Sequence, residues 1–237
     1  MKKMVVGNRI KSKPPLIMEL VGPAGAGKTT LSRALSQRDE EILIGLDMEL
    51  RKVRHIPIFI RSVPSSSFFL PGRRPNRRFT WTELKYIAYL KGWPHLLRRQ
   101  ASNTGKMILL DQGPVFRMAT LHEFGPDILK SETLETWWLN LYEQWASTLD
   151  MIIWLDTSDA ILMERINTRN KRHDIKGKSD LEAQQFLAQY RRSYMDVLAK
   201  FVSYNGPTLF QFDTSKVPVE QIADDILAAC GLMHNES

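Results

Sequence analysis

Chemistry first enters the chain at Gly22-Pro23-Ala24-Gly25-Ala26-Gly27-Lys28-Thr29-Thr30, where two glycines separated by four residues are followed by Lys and Thr. This spacing has a mechanical reason. A loop that wraps a polyphosphate must turn several backbone N–H groups inward, and glycines allow both the dihedrals and the close approach. A helix beginning at the loop's end presents the positive end of its dipole to the phosphates. In that pattern Lys28 reaches the β- and γ-phosphates and the Thr29 hydroxyl holds Mg²⁺, while Gly22, Ala24, Gly25, Ala26, Gly27 and Thr30 complete the cradle. The apolar run Leu16–Val21 before the loop has the length of a buried strand, and Thr30–Leu35 after it reads as an amphipathic helix. Strand, glycine loop and helix together read as a nucleotide-binding loop.

Further residues could complete such a site. Asp111 closes the apolar run Met107–Leu110, a position from which a carboxylate can hold Mg²⁺, and Gln112 follows it. Glu is usual at that next position in ATPase motors, so Gln112 argues against a motor. Asp47 and Glu49 end a second apolar run and are candidates for a general base or a ligand of the acceptor hydroxyl. Arg165 and Arg169 lie four apart on an expected helix, with Lys171, Arg172, Lys176 and Lys178 close by and Gly177 as a hinge candidate. Cations of this kind can fold over a triphosphate and neutralise charge on the group in transit, while a closed lid excludes water. Arg61, Arg73, Arg74, Arg77 and Arg78, interleaved with Phe59, Phe68, Phe69 and Phe79, make the Pro-broken stretch 54–78 strongly cationic, suited to an anionic acceptor. The histidines show no metal-ligand spacing, and Cys230 reads as a small core residue.

These residues need positioning, and the pattern of elements supplies it. The 237 residues are 43% hydrophobic and 25% charged, enough apolar mass for a sizeable core. Apolar strand-length runs alternate with helical patterns from Leu16 to Ala229, which implies an α/β fold with a parallel sheet covered on both faces. Ligands in such sheets sit at the carboxyl ends of the strands, where nearly all the candidates fall. The tryptophans of 131–149 read as helix-packing residues, and Pro94 is expected to break or kink the helix from Thr80 to Ser102. A single cysteine and the lack of a signal-peptide core at the N-terminus point to the cytoplasm, and no run is long enough to cross a membrane.

With these motifs the chain resembles the P-loop kinases of the nucleoside and nucleotide kinase group, thymidylate-kinase-like in particular. Besides the glycine loop, the resemblance rests on three places. Asp150–Ser158 with Glu164-Arg165-Ile166-Asn167-Thr168-Arg169 is similar to the strand, acidic turn and Arg-bearing lid helix of those kinases. Phe212-Asp213-Thr214-Ser215 is similar to their last strand and the loop beside the adenine, and Leu109-Leu110-Asp111 to their acidic strand end. The resemblance implies a three-layer P-loop NTPase fold, with a five-stranded parallel sheet in the order 2-3-1-4-5 and a helical lid. It implies ATP and Mg²⁺ as cofactors, ATP contacts from Arg165, Arg169 and Thr214, and a small-molecule phosphate acceptor. In domain terms, 1–15 is a flexible basic lead-in and 16–237 a single kinase domain, with an acceptor-binding insertion at 54–105 and a lid at 165–180. Where those kinases usually carry Arg after the acidic residue, this chain has Gln112. The expected activity is therefore transfer of the γ-phosphate to a nucleoside, a nucleoside monophosphate, or another metabolite or antibiotic hydroxyl. A nucleic-acid-acting ATPase or polynucleotide-end kinase is the alternative that the net charge of +7 keeps open, and a homodimer is compatible with either. A GTPase switch is disfavoured, since Asn170-Lys171-Arg172-His173-Asp174 is one residue too long for the guanine-reading pattern.

Overall fold

The computed structural model describes residues 15–45, 77–170 and 173–236, with side chains to residue 233. Asp47, Glu49, Arg61, Arg73, Arg74, Lys171 and Arg172 and nearly all of the basic lead-in lie outside the described residues. Five strands form one parallel sheet: β1 (Ile17–Val21), β2 (Ile42–Ile44), β3 (Met107–Asp111), β4 (Met151–Asp156) and β5 (Thr208–Asp213). Their order is β2-β3-β1-β4-β5, the order that the resemblance implied. The helices are α1 (Lys28–Arg38), α2 (Trp81–Thr104), α3 (Pro114–Phe124), α4 (Glu135–Ala146), α5 (Asp159–Thr168), α6 (Asp180–Ser203) and α7 (Val219–Glu236).

Three layers follow from the two-residue period of the central strands. Ile17 and Val21 of β1, Ile108 and Leu110 of β3, and Ile152 and Trp154 of β4 join a core built with α2, α3 and α4. The intervening residues Met18, Leu20, Leu109, Met151 and Ile153 join a second core with α1, α5 and α7. Helix α6 serves both: Ala183 and Leu187 pack into the second core, and Tyr194, Val197 and Phe201 into the first. One residue breaks the apolar pattern of β1. Glu19 points to the same face as Ile17 and Val21 and is fully buried.

Two local expectations are corrected. Helix α2 runs unbroken through Pro94. Proline lacks an N–H, so the carbonyl four residues earlier loses its helical partner. Here that carbonyl belongs to Leu90, and the Trp145 indole N–H donates to it at 2.8 Å. The 131–149 segment, read as helix, is not helical from its first residue. Ser131 instead opens a short 3₁₀ turn, Glu132–Leu134, and α4 follows from Glu135. Trp138 and Trp145 are buried in the first core, as packing residues should be.

Candidate functional site

The glycine loop joins β1 to α1, and Lys28 is the first residue of that helix. Gly22 is irreplaceable on two counts: its φ is +137°, and a Cβ there would come within 2.0 Å of the Leu155 carbonyl oxygen. The loop is therefore pressed against the end of β4. The Lys28 ammonium donates to the carbonyls of Gly22 at 2.6 Å and Pro23 at 2.9 Å, which folds its side chain back over the loop. Burial lowers its pKa to about 8 against the opposing pull of Asp111, and Arg169 adds to the lowering. A cation so poorly solvated gains from any anion that comes within its reach. Thr29 and Thr30 are exposed.

Three cavities run side by side over this loop. The first, about 280 Å³, is lined by Gly25, Gly27, Thr30, Arg165, Thr214 and the apolar residues Leu31, Leu155, Val217 and Ile222. The second, about 250 Å³, holds Lys28, Thr29, Asp111, Gln112, Arg169 and His173. The third, about 230 Å³, is walled by Phe116, Phe186, Tyr190 and Tyr194, with Lys28, Gln112, His173 and Asp174 on its border. Gly25, Gly27 and Arg169 are common to the first two, and Ala24, Lys28, Gln112 and His173 to the last two. The result is a continuous trough with an apolar end, a polar centre and an aromatic end.

Arg165 and Thr214 meet beside Gly25. The Arg165 guanidinium donates to the Gly25 carbonyl at 3.2 Å, the Thr214 hydroxyl at 3.0 Å and the Thr214 carbonyl at 3.3 Å. Arg169 reaches the same trough by another route than helical spacing predicts. Helix α5 ends at Thr168, and Arg169 has extended dihedrals beyond it. Its carbonyl accepts from the Lys176 ammonium, which ties the segment back on itself. Gly177 has φ +79°, and a Cβ added there would meet nothing within 4 Å. Asp111 is exposed at the tip of β3, on the cavity that holds Lys28 and Thr29. Of the basic stretch, Arg78 is exposed, and Arg77 is engaged: its guanidinium forks onto Glu83 at 2.9 and 2.5 Å and donates to the Phe124 carbonyl. Arg77 thereby ties the start of α2 to the end of α3.

Several contributors escape sequence reasoning. Glu19 accepts from the backbone N–H groups of Val115 at 2.9 Å and Phe116 at 3.2 Å, the open end of α3. A side chain at Gly113 would meet the Glu19 carboxyl at 2.7 Å, so the chain must be bare where it crosses. Burial pushes the Glu19 pKa up to about 8, over the opposing effects of those N–H groups and of Arg117. Between this anchored helix and the strand tip, Gln112 takes a left-handed φ of 61°. Such a conformation is costly for a non-glycine residue and persists only where its surroundings impose it. Arg191 of α6 is the other: it donates to the Asp156 carboxylate at 2.8 and 3.1 Å, to the Thr157 carbonyl at 2.8 Å and to Asp159. It binds α6 to the end of β4 and the start of α5. The signal for Glu19 was a lone carboxylate inside an apolar run; no short motif announces Arg191.

The trough's two outer cavities are joined by polar residues that carry hard oxygen donors. A Thr hydroxyl and an Asp carboxylate, Thr29 and Asp111, suit Mg²⁺, which keeps most of its waters and takes few protein ligands. Among the described residues there is no group of three or more His, Cys, Asp or Glu side chains that could hold a metal alone. No helix among the described residues is long and apolar enough to cross a membrane.

A family model described as an AAA domain matches residues 17–194, most of the chain. No curated protein sequence matches. Among solved structures, a thymidylate kinase from Candida albicans is 16% identical, with 94% of each chain covered and a TM-score of 0.56. A deoxyadenosine kinase from M. mycoides with dCMP and a flexible dCDP bound is 15% identical, covering 91% of this chain and 99% of that one, with a TM-score of 0.51. A shikimate kinase from Bacteroides thetaiotaomicron is 14% identical, covering 90% and 97%, with a TM-score of 0.50. At such identities the likeness is one of fold.

Proposed function

The chain belongs to the AAA-domain family, and from that premise we propose that it is an ATP-dependent kinase that passes the γ-phosphate to a small-molecule acceptor, a nucleoside or nucleoside monophosphate. The observation that carries this reading is the order of the three cavities: an apolar one beside Thr214 for the base, a polar one over the glycine loop for the phosphates, and an aromatic one for the acceptor. A hydrolase needs no third compartment, whereas a kinase needs one adjoining the γ-phosphate.

The chain's own groups then have distinct work. The loop from Gly22 to Thr30 offers N–H groups to the phosphates, and Lys28 turns from its carbonyl partners to the β/γ oxygens. Thr29 and Asp111 hold Mg²⁺, which when bound offsets the negative charge of the phosphates. Arg165, already fixed on Gly25 and Thr214, and Arg169 stabilise charge that develops on the moving group. Asp47 is proposed as the base for the acceptor hydroxyl. Arg61, Arg73, Arg74, Arg77 and Arg78 are proposed to face the acceptor side, with Arg77 acting also through Glu83.

A coupled ADP-release assay with Mg-ATP tests the reading, across nucleosides, their monophosphates, sugars and hydroxylated antibiotics, with single-stranded DNA and RNA as further additions. ADP release that depends on one small acceptor is the expected result. Release raised only by polynucleotide would overturn it in favour of a nucleic-acid-acting enzyme.

A further inference from the structure

The polar and aromatic cavities share Ala24, Lys28, Gln112 and His173. A phosphoryl group that moves from a nucleotide in one to an acceptor in the other must pass between these residues. Ala24 and Lys28 belong to the glycine loop and Gln112 follows β3, whereas His173 comes from the segment between α5 and α6. A tight turn fixes that segment at this point. Ile175 is buried in the second core, and the His173 carbonyl accepts from the Lys176 N–H at 3.1 Å. The Ile175 carbonyl accepts in turn from the Lys178 N–H at 3.2 Å. The imidazole meets the Phe186 ring edge-on, with centres 6.2 Å apart and planes at 88°. Its position is thus set before any ligand arrives, the condition under which a donor does most for a transition state.

The two ring nitrogens have different work. The Ile175 N–H donates to Nδ1 at 3.3 Å, so Nδ1 carries no proton. The ring's proton therefore sits on Nε2, the nitrogen on the edge turned away from that bond. Burial lowers the pKa of the ring, Arg169, Lys28 and Lys176 add to the lowering, and Asp174 opposes it. The ring is neutral at neutral pH, and it stands close enough to Lys28 and Arg169 to feel both charges. With Nδ1 engaged and Nε2 protonated, it has no lone pair with which to take a proton from an acceptor hydroxyl. The same arrangement suits it to donate.

We propose that His173 is a catalytic residue of the transfer, donating a hydrogen bond from Nε2 to an oxygen of the phosphoryl group as it crosses from the polar to the aromatic cavity. This deepens the kinase reading and rests on it. As the bond from the γ-phosphorus to the β–γ bridging oxygen breaks, ADP leaves with the electron pair. The acceptor oxygen bonds to that phosphorus and gives its proton to the acceptor's base, while His173 keeps its own. Charge in such a step spreads over the three equatorial oxygens, so a donor aimed at one of them is worth most midway. Lys28 and Arg169 supply charge, and His173 supplies direction. A neutral donor also costs less to desolvate beside those two than a further cation would.

The test measures kcat and KM in the full chain with Mg-ATP. The acceptor is whichever raises ADP release most among nucleosides, their monophosphates, sugars and hydroxylated antibiotics. His173→Phe keeps a flat ring against Phe186 and removes both nitrogens. It should lower kcat by on the order of 100-fold and leave KM for ATP and for the acceptor within about 3-fold. Two amides then separate donation to the substrate from support of the turn. In His173→Gln an amide N–H can reach the place of Nε2, and kcat should return to within about 10-fold of wild type. In His173→Asn the amide oxygen can accept from the Ile175 N–H in place of Nδ1, but the side chain stops short of the cavities, and kcat should stay as low as in His173→Phe. An unchanged kcat in His173→Phe, a loss confined to KM, or a Gln variant no faster than the Asn variant overturns the inference while the kinase reading stands. Calorimetric titration with a non-hydrolysable ATP analogue tests the level beneath. If the analogue does not bind, or if no small acceptor raises ADP release, the kinase reading fails and this inference with it.

Discussion

Replacing Glu19 by Gln should remove a pH dependence from the protein's stability. The carboxyl is fully buried and anchors the first turn of α3 through two backbone N–H groups. Those donors and Arg117 favour the anion, but the cost of burying a charge, several kcal/mol for a carboxylate, is larger, so the group keeps its proton to about pH 8. Below pH 4.5 both the folded and the unfolded chain carry that proton, and the contribution to stability is complete. Between 4.5 and about 8 the unfolded chain releases it and the folded chain does not, so stability falls as pH rises, and the loss is complete above about 8. At about 1.4 kcal/mol per pH unit, the total approaches roughly 5 kcal/mol as an upper bound. Gln carries no proton to lose, but its amide nitrogen cannot accept, so one of the two N–H groups is left unpaired at a cost of about 1–3 kcal/mol. Urea unfolding in EDTA at pH 5, 6, 7, 8 and 9 reads the difference, with the other titrating groups cancelling between the two proteins. Glu19→Gln should be the less stable at pH 5 by about 1–3 kcal/mol, and the gap should close or change sign by pH 9. A gap that widens with pH would mean an ionised Glu19 with charge-assisted bonds, and would refute the reasoning.

The remaining predictions concern the trough. Lys28→Ala should cut phosphate transfer by about 10³-fold or more with an unchanged circular dichroism spectrum; full activity would remove the loop from the site. Asp47→Asn should lower kcat by on the order of 10²-fold or more with ATP affinity nearly constant, and an unchanged rate measured at saturating ATP would move the base to Glu49 or to no side chain. Arg191→Met leaves Asp156 and Asp159 without their counter-ion in a region about a quarter exposed, for a cost of roughly 2–3 kcal/mol. Differential scanning calorimetry should show a clear fall in Tm; a shift within error would reduce the clamp to a surface ion pair.

What could be read directly from the sequence was local. The glycine loop and Asp111 at a strand end each depend on a few neighbouring residues and on the rule that ligands gather at the carboxyl ends of parallel strands, whereas the contact of Arg165 with Thr214 joins residues 49 apart that only the resemblance had singled out. The sheet order came through family resemblance, because nothing in the apolar runs themselves ranks β3 between β2 and β1. The continuity of α2 was illegible because it depends on Trp145, which lies 51 residues beyond Pro94 and supplies the donor that proline lacks. Phe186, Tyr190 and Tyr194 recur at helical spacing and could be read as one face of α6, but that spacing says only that they are buried together, not that they line a cavity.

Glu19 and Arg191 were hidden for one reason, and it bears on how the site works. Each is an ionisable residue whose partners come from elsewhere in the chain, and each fixes an element that carries a functional group without touching the trough's centre. Glu19 sets the start of α3, and so the angle from which Gln112 and Phe116 enter the cavities. Arg191 sets α6 against β4 and α5, and so the distance between the aromatic wall of Phe186 and Tyr190 and the helix that bears Arg165. The glycine loop is held independently, by the contact of Gly22 with β4. A substitution at Glu19 should therefore disturb the aromatic cavity before the cavities over the glycine loop, whereas one at Arg191 should reach both, because the helix that it clamps bears Arg165. Evolution of a new acceptor in such a scaffold can proceed through α3 and α6 while the phosphate chemistry stays where the sequence announces it.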